Sequence, residues 1–115
     1  MFSLFNVSDS GEIDKSVLTA LEKGDAKELS KFFTSSIKIS IHKNDQIATK
    51  YQSELILDHY FKENKLQDIK KSSLANNSHG NYLIYDVKTQ NKSVRVFVKI
   101  VKLKNSEYIS ELRIE

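Results

Sequence analysis

The spacing of apolar positions changes along this chain, and each change marks an element. Ile13, Val17, Leu18 and Leu21 recur at helical spacing. Asp9 with Glu12 three positions later has the form of a capping box, with Asp9 as N-cap. Gly24 stands where a C′ glycine ends a helix. Asp25 and Glu28 repeat the box, and Leu29, Phe32 and Phe33 give a short second helix its apolar face. The period then drops to two. Ile37, Ile39 and Ile41 alternate with Lys38, Ser40 and His42, which predicts a strand over 36–42. Lys43 to Gln46 reads as a turn, and Ile47-Ala48 as a short return strand. Thr49, with Gln52 at the third helical position, caps a third helix. Ile56, Leu57, Tyr60 and Phe61 share one arc of that helix, while Glu54, Asp58 and Lys62 lie opposite. Asn64 is its predicted stop. Residues 66–76 read as a more polar strand, with Asn77 to Gly80 as its turn.

The last third of the chain is a register problem. Val94, Val96, Val98 and Ile100 form one phase of a strand, and Arg95, Phe97, Lys99, Val101 and Leu103 the other. A two-residue loop at Gln90-Asn91 sets Val87 against Val94, Tyr85 against Val96 and Leu83 against Val98. It also sets Asp86 against Arg95, Ile84 against Phe97 and Tyr82 against Lys99. A three-residue loop at 104–106 sets Val98 against Leu112 and Val96 against Ile114, with Lys99–Glu111, Phe97–Arg113 and Arg95–Glu115 on the other face. A slip of one residue would oppose Ile100 to Glu111, because it turns a whole strand over. A four-residue turn before the meander predicts Leu74–Leu83, Ser72–Tyr85 and Lys70–Val87 on the core face, and Lys71–Asp86 outside.

Length and charge add bounds. The 115 residues make one domain, 1–115, long enough for a real core. No run approaches the roughly 20 apolar residues of a membrane span. Met1 to Phe5 is apolar, but too short for a signal peptide and without a basic start. With no cysteine there is neither a disulfide nor a thiol chemistry, and the compartment stays open. Net charge is +3, and the basic surplus lies in the second half. It is interleaved with acids and carries no aromatic–basic motif, so nucleic acid is not an expected partner.

Two motifs carry a resemblance. One is Leu21-x-x-Gly24-Asp25-Ala26-x-x-Leu29-x-x-Phe32-Phe33. The other is the terminal Tyr108-Ile109-x-x-Leu112-Arg113-Ile114-Glu115. With the order of elements, they resemble the bacterial family known as domain of unknown function 4783, within the nuclear transport factor 2-like, or cystatin-like, superfamily. The resemblance implies an α+β, cone-shaped fold, with three N-terminal helices on one face of a curved, mainly antiparallel sheet. It also implies a periplasmic or cell-surface setting. It brings no catalytic residues, since the family has no assigned activity.

The candidate chemistry is modest. Asp86 and Arg95 read as a cross-strand ion pair. His42, His59 and His79 fall on a strand end, a polar helix face and a turn, with no carboxylate at metal-ligand spacing, so neither a metal nor another cofactor is expected. Asp58 and His59 are helical neighbours that do not face each other. Tyr60 and Tyr85 are candidate pocket residues, with Ser72 and Lys70 at the mouth and Ser110 on a core-facing phase. The plainer reading makes both tyrosines core residues with their hydroxyls at the rim. Ile84, Phe97 and Val101 form an apolar strip on the outer sheet face, a candidate surface for a homodimer or protein partner. The first functional expectation is a non-catalytic binding or interaction domain, holding a small ligand in the cone or docking through the sheet. The alternative is a small enzyme of the isomerase or cyclase type using Tyr60, Tyr85 and Lys70. The ketosteroid isomerases and polyketide cyclases it would resemble use an acid or histidine inside the cone beside tyrosine donors. The core-facing phases of the meander supply no such acid or histidine.

Overall fold

The computed structural model describes residues 9–72 and 82–115, with side chains from Ile13 onward in the first segment. Its elements run α1 (Asp9–Lys23), α2 (Ala26–Ser30), β1 (Phe33–Ile41), β2 (Asn44–Thr49), α3 (Lys50–Glu63), β3 (Leu66–Lys71), β4 (Tyr82–Thr89), β5 (Ser93–Leu103) and β6 (Ser106–Ile114). The strands form one curved sheet in the order β2-β1-β6-β5-β4-β3. All neighbours are antiparallel except β1 and β6. The expected set of three N-terminal helices is corrected. Among the described residues only α1 and α2 precede the sheet, because the box at Thr49 starts α3 directly after β2.

Local chemistry explains the joints. Gly24 has φ +63°, a left-handed conformation that an L side chain resists. Its N–H donates to Leu21 O at 3.1 Å, and Asp25 N–H donates to Ala20 O at 2.8 Å, the paired bonds of a Schellman ending. Asp25 then caps α2 by accepting from Glu28 N at 3.1 Å. The second helix is shorter than expected, and Phe33 opens β1 instead of lying on α2. At Thr49 both halves of the box form: Gln52 N donates to Thr49 Oγ1 at 3.1 Å, and Thr49 N to Gln52 Oε1 at 3.0 Å. Asn64 stops α3 through its side chain, Nδ2 donating to Tyr60 O at 3.0 Å, with φ at −129°. At the other end of the chain's first helix, Asp9 lies within α1 and is not its cap; its side chain and that of Glu12 lie outside the described residues.

The β4–β5 register is as expected at all six predicted pairs. Thr89 anchors its loop, Oγ1 accepting from Asn91 N and Lys92 N and donating to Lys92 O. Between β5 and β6 the pairs from Val96–Ile114 to Lys99–Glu111 also agree, and Arg95 and Glu115 exchange both backbone bonds. The loop differs. Leu103 pairs with Ser106 across a two-residue turn in which Lys104 and Asn105 have φ +50° and +68°. A bulge restores the register: Lys99 pairs with Glu111 but Ile100 with Ile109, which leaves Ser110 unopposed. Ile109 and Leu112, three apart, can therefore both be fully buried. The β1–β2 turn also moves, to His42-Lys43, with φ +49° and +75°. Such positive pairs match the twist of the flanking strands.

The core lies between the helices and one sheet face. Val17, Leu21, Leu29, Phe33, Ile39, Leu57, Tyr85, Val98 and Leu112 are among its fully buried members. The predicted arc of α3 packs against it.

Candidate functional site

Two regions gather polar chemistry: a cluster where α1 meets β3 and β4, and the outer face of the sheet.

The cluster begins from one buried side chain. Tyr85 lies on the core phase of β4 and is 0% exposed. A buried phenol needs a partner, and α1 supplies one. The Tyr85 hydroxyl donates to Asp14 Oδ1 and lies 3.4 Å from Asp14 O. Lys71 Nζ reaches the other carboxylate oxygen, Oδ2, at 2.5 Å. The Asp14 side chain is 19% exposed and that of Lys71 48% exposed. Burial pushes the Tyr85 hydroxyl far above the ordinary phenol range, and the bond to Asp14 and its negative charge push the same way. The phenol is thus a committed donor, the carboxylate a double acceptor, and the ammonium its counter-charge.

Of the predicted pocket residues, Tyr85 alone belongs to this cluster. The β3–β4 register is Ile69–Val87, Lys70–Asp86 and Lys71–Tyr85, one residue from the expected pairing. Lys70 is therefore corrected to the exposed outer face, and Lys71 takes the inner phase. The turn that would have fixed this register, and the pair Leu74–Leu83, lie outside the described residues. Ser72 is buried, and its N–H donates to Ile84 O at 2.8 Å. Ser110 is corrected from a core row to the bulge of β6. Tyr60 reaches elsewhere: its hydroxyl lies 3.4 Å from His42 Nε2, with the rings 5.9 Å apart. Burial raises its pKa too.

Asp14 is the residue that sequence reasoning missed. Its signal was present, because it precedes Val17, Leu18 and Leu21 by three, four and seven positions, a polar group on the apolar stripe of α1.

The outer face carries rows of charge around an aromatic strip. Arg95 Nε donates to Asp86 Oδ1 at 2.8 Å. The Arg113 guanidinium lies 4.6 Å from the centre of the Phe97 ring, and its Nε is 2.9 Å from Glu115 Oε2. Glu111 is more distant, at 3.8 Å from Arg113. Lys99 sits 5.9 Å from the Tyr82 ring centre. Phe97 and Val101 are half-buried, but Ile84 is only 6% exposed, so it offers a partner little surface. At one end Asp68, Lys70, Asp86, Lys88, Arg95 and Glu115 line a groove of about 480 Å³.

A family model described as domain of unknown function DUF4783 matches residues 14–115. The chain belongs to this family. Solved members from Bacteroides uniformis ATCC 8492 and Bacteroides fragilis YCH46 share its fold. The first is 23% identical with a TM-score of 0.77, covering 88% of this chain and 94% of the other. The second is 20% identical with a TM-score of 0.75, covering 86% and 93%. An NTF-2 like protein of unknown function from Silicibacter pomeroyi DSS-3 is 13% identical with a TM-score of 0.61, covering 91% and 90%. At these identities the likeness speaks for fold alone. No curated protein matches the chain. No described helix is long and apolar enough to cross a membrane.

Proposed function

We propose that this member of the family is a non-catalytic interaction domain whose working surface is the outer face of the sheet, occupied by a second copy or a protein partner. The observation that carries the reading is the Phe97 strip. Phe97 and Val101 remain half-exposed at the middle of an open sheet, with the Arg113 guanidinium held on the ring of Phe97. Aromatic and arginine side chains together are the usual anchors of protein interfaces. Charges of both signs alternate around them, so a second copy meets no block of like charge. Light scattering on the wild type and Phe97→Asp tests this reading. The expected result is an assembly that loses half its mass on substitution; a mass indifferent to the substitution counts against it. A periplasmic or cell-surface setting remains part of the proposal, on family resemblance alone.

One observation favours the second reading, an enzyme of the isomerase or cyclase type: an acid, Asp14, does lie against Tyr85. In that reading Asp14 is the base and Tyr85 the donor. The interaction reading is preferred because Tyr85 has no exposed surface and the three groups already satisfy one another. A bound small ligand that shifts the NMR signals of Tyr85 and Asp14 would reverse this preference.

A further inference from the structure

The two ends of the sheet are built differently. β3 is the edge on one side, and it is blunted: its register shifts between Leu66 and Asp68, and it carries Lys70 and Lys71. Bulges and lysines are what natural edges use against unwanted pairing. β2 is the edge on the other side and has neither. It pairs with β1 without a register shift from Ile41–Asn44 to Ser36–Thr49. It contains no lysine or proline, and Ile47 on it is 70% exposed.

Its free hydrogen-bonding groups can be assigned. Ile41 and Asn44 close a two-residue turn as a hydrogen-bonded pair, and such pairs alternate along an antiparallel ladder. Asn44, Gln46 and Ala48 therefore turn their N–H and C=O toward β1, and Asp45, Ile47 and Thr49 turn theirs outward. Thr49 has spent both: its N–H donates to Gln52 Oε1 at 3.0 Å, and its C=O accepts from Ser53 Oγ at 2.8 Å. Among the described residues, the open edge is the backbone of Asp45 and Ile47.

We propose that this edge pairs with the same edge of a second copy, antiparallel, across a two-fold axis at Gln46. In that register Asp45 faces Ile47 of the second copy, and Ile47 faces its Asp45. Every outward N–H and C=O of these residues then finds a partner. The charges agree with it. Lys38, on β1, stands beside Ile47 on the outer face, is exposed, and has no ion-pair partner among the described residues. The second copy's Asp45 enters that same row, one strand beyond Ile47, where a lysine side chain reaches. The pairing doubles the six-stranded sheet and joins two outer faces into one surface. It does not rest on the Phe97 strip being an interface, and the two can be separated.

Ile47→Pro is the decisive variant. The Ile47 N–H points away from β1, so proline there removes an edge donor and no internal bond. Ile47→Lys is the second variant, should proline unfold the strand. Sedimentation velocity over a concentration series is expected to show wild-type dimerisation abolished in both variants, with circular dichroism unchanged. Hydrogen exchange is expected to show the Ile47 amide protected in the wild type in proportion to dimer. A wild type that stays monomeric at NMR concentrations overturns the proposal, as does association that survives Ile47→Lys. Association lost with Phe97→Asp but kept with Ile47→Lys leaves the sheet-face reading standing and removes this one. The reverse pattern does the opposite.

Discussion

Replacing Tyr85 by phenylalanine removes one oxygen and nothing else, which isolates the polar lock between α1 and the sheet. The hydroxyl donates to a carboxylate from a fully buried position. Hydrogen bonds to charged groups contribute about 1.5–3 kcal/mol. Lys71 still holds Asp14 in the variant, so the carboxylate is not left alone, and the expected loss is about 2 kcal/mol. For a chain of 115 residues the unfolding entropy is roughly 240 cal/mol/K, so Tm falls by about 8 °C. The effect also has a pH signature. Folding raises the Tyr85 pKa above the ordinary value of 10.0. Above that pH the folded chain therefore holds a proton that the unfolded chain has lost. Stability from this group is complete below about pH 10 and declines as pH rises further. Tyr85→Phe lacks that term. Its deficit relative to wild type should shrink above about pH 10, by at most about 1.4 kcal/mol per pH unit. Urea unfolding of both proteins between neutral and alkaline pH measures this. A cost below about 0.5 kcal/mol at neutral pH, or a deficit that does not change with pH, would refute the reasoning.

Two further substitutions test the turns. Gly24→Ala should cost about 1–2 kcal/mol in urea unfolding, because φ is +63°. The added Cβ would meet Phe61 Cβ at an ordinary 3.5 Å, so a loss that Gly24→Asn does not lessen would point to packing instead. Lys43→Gly should stabilise by about 0.5–1 kcal/mol, relieving φ +75° against the entropy of glycine; a loss of stability would mean that Lys43 contributes something beyond the turn.

The sequence by itself determined whatever depends on neighbours in the chain. Period separated helices from strands, and Gly24, Asp25 and Thr49 marked joints that local hydrogen bonds enforce. Apolar and charged pairing set the β4–β5 register, because a one-residue slip would turn Arg95 and Lys99 toward the core. The motifs at 21–33 and 108–115 pointed to the family that the match over 14–115 shows. Where two registers differed little in side-chain cost, sequence could not choose. Polar β3 slipped by one and exchanged the roles of Lys70 and Lys71. The bulge at Ser110 was hidden for a related reason, since it corrects a turn whose two positive φ values are carried by Lys104 and Asn105 rather than by the usual Asn-Gly. Only tertiary structure set β1 beside β6, a parallel pairing of segments more than 70 residues apart. Only it brought Asp14, Tyr85 and Lys71 together, because they lie on three elements whose meeting no local pattern encodes. The same holds for the edges: which strand ends the sheet is a property of the assembled order, and that order left β2 open.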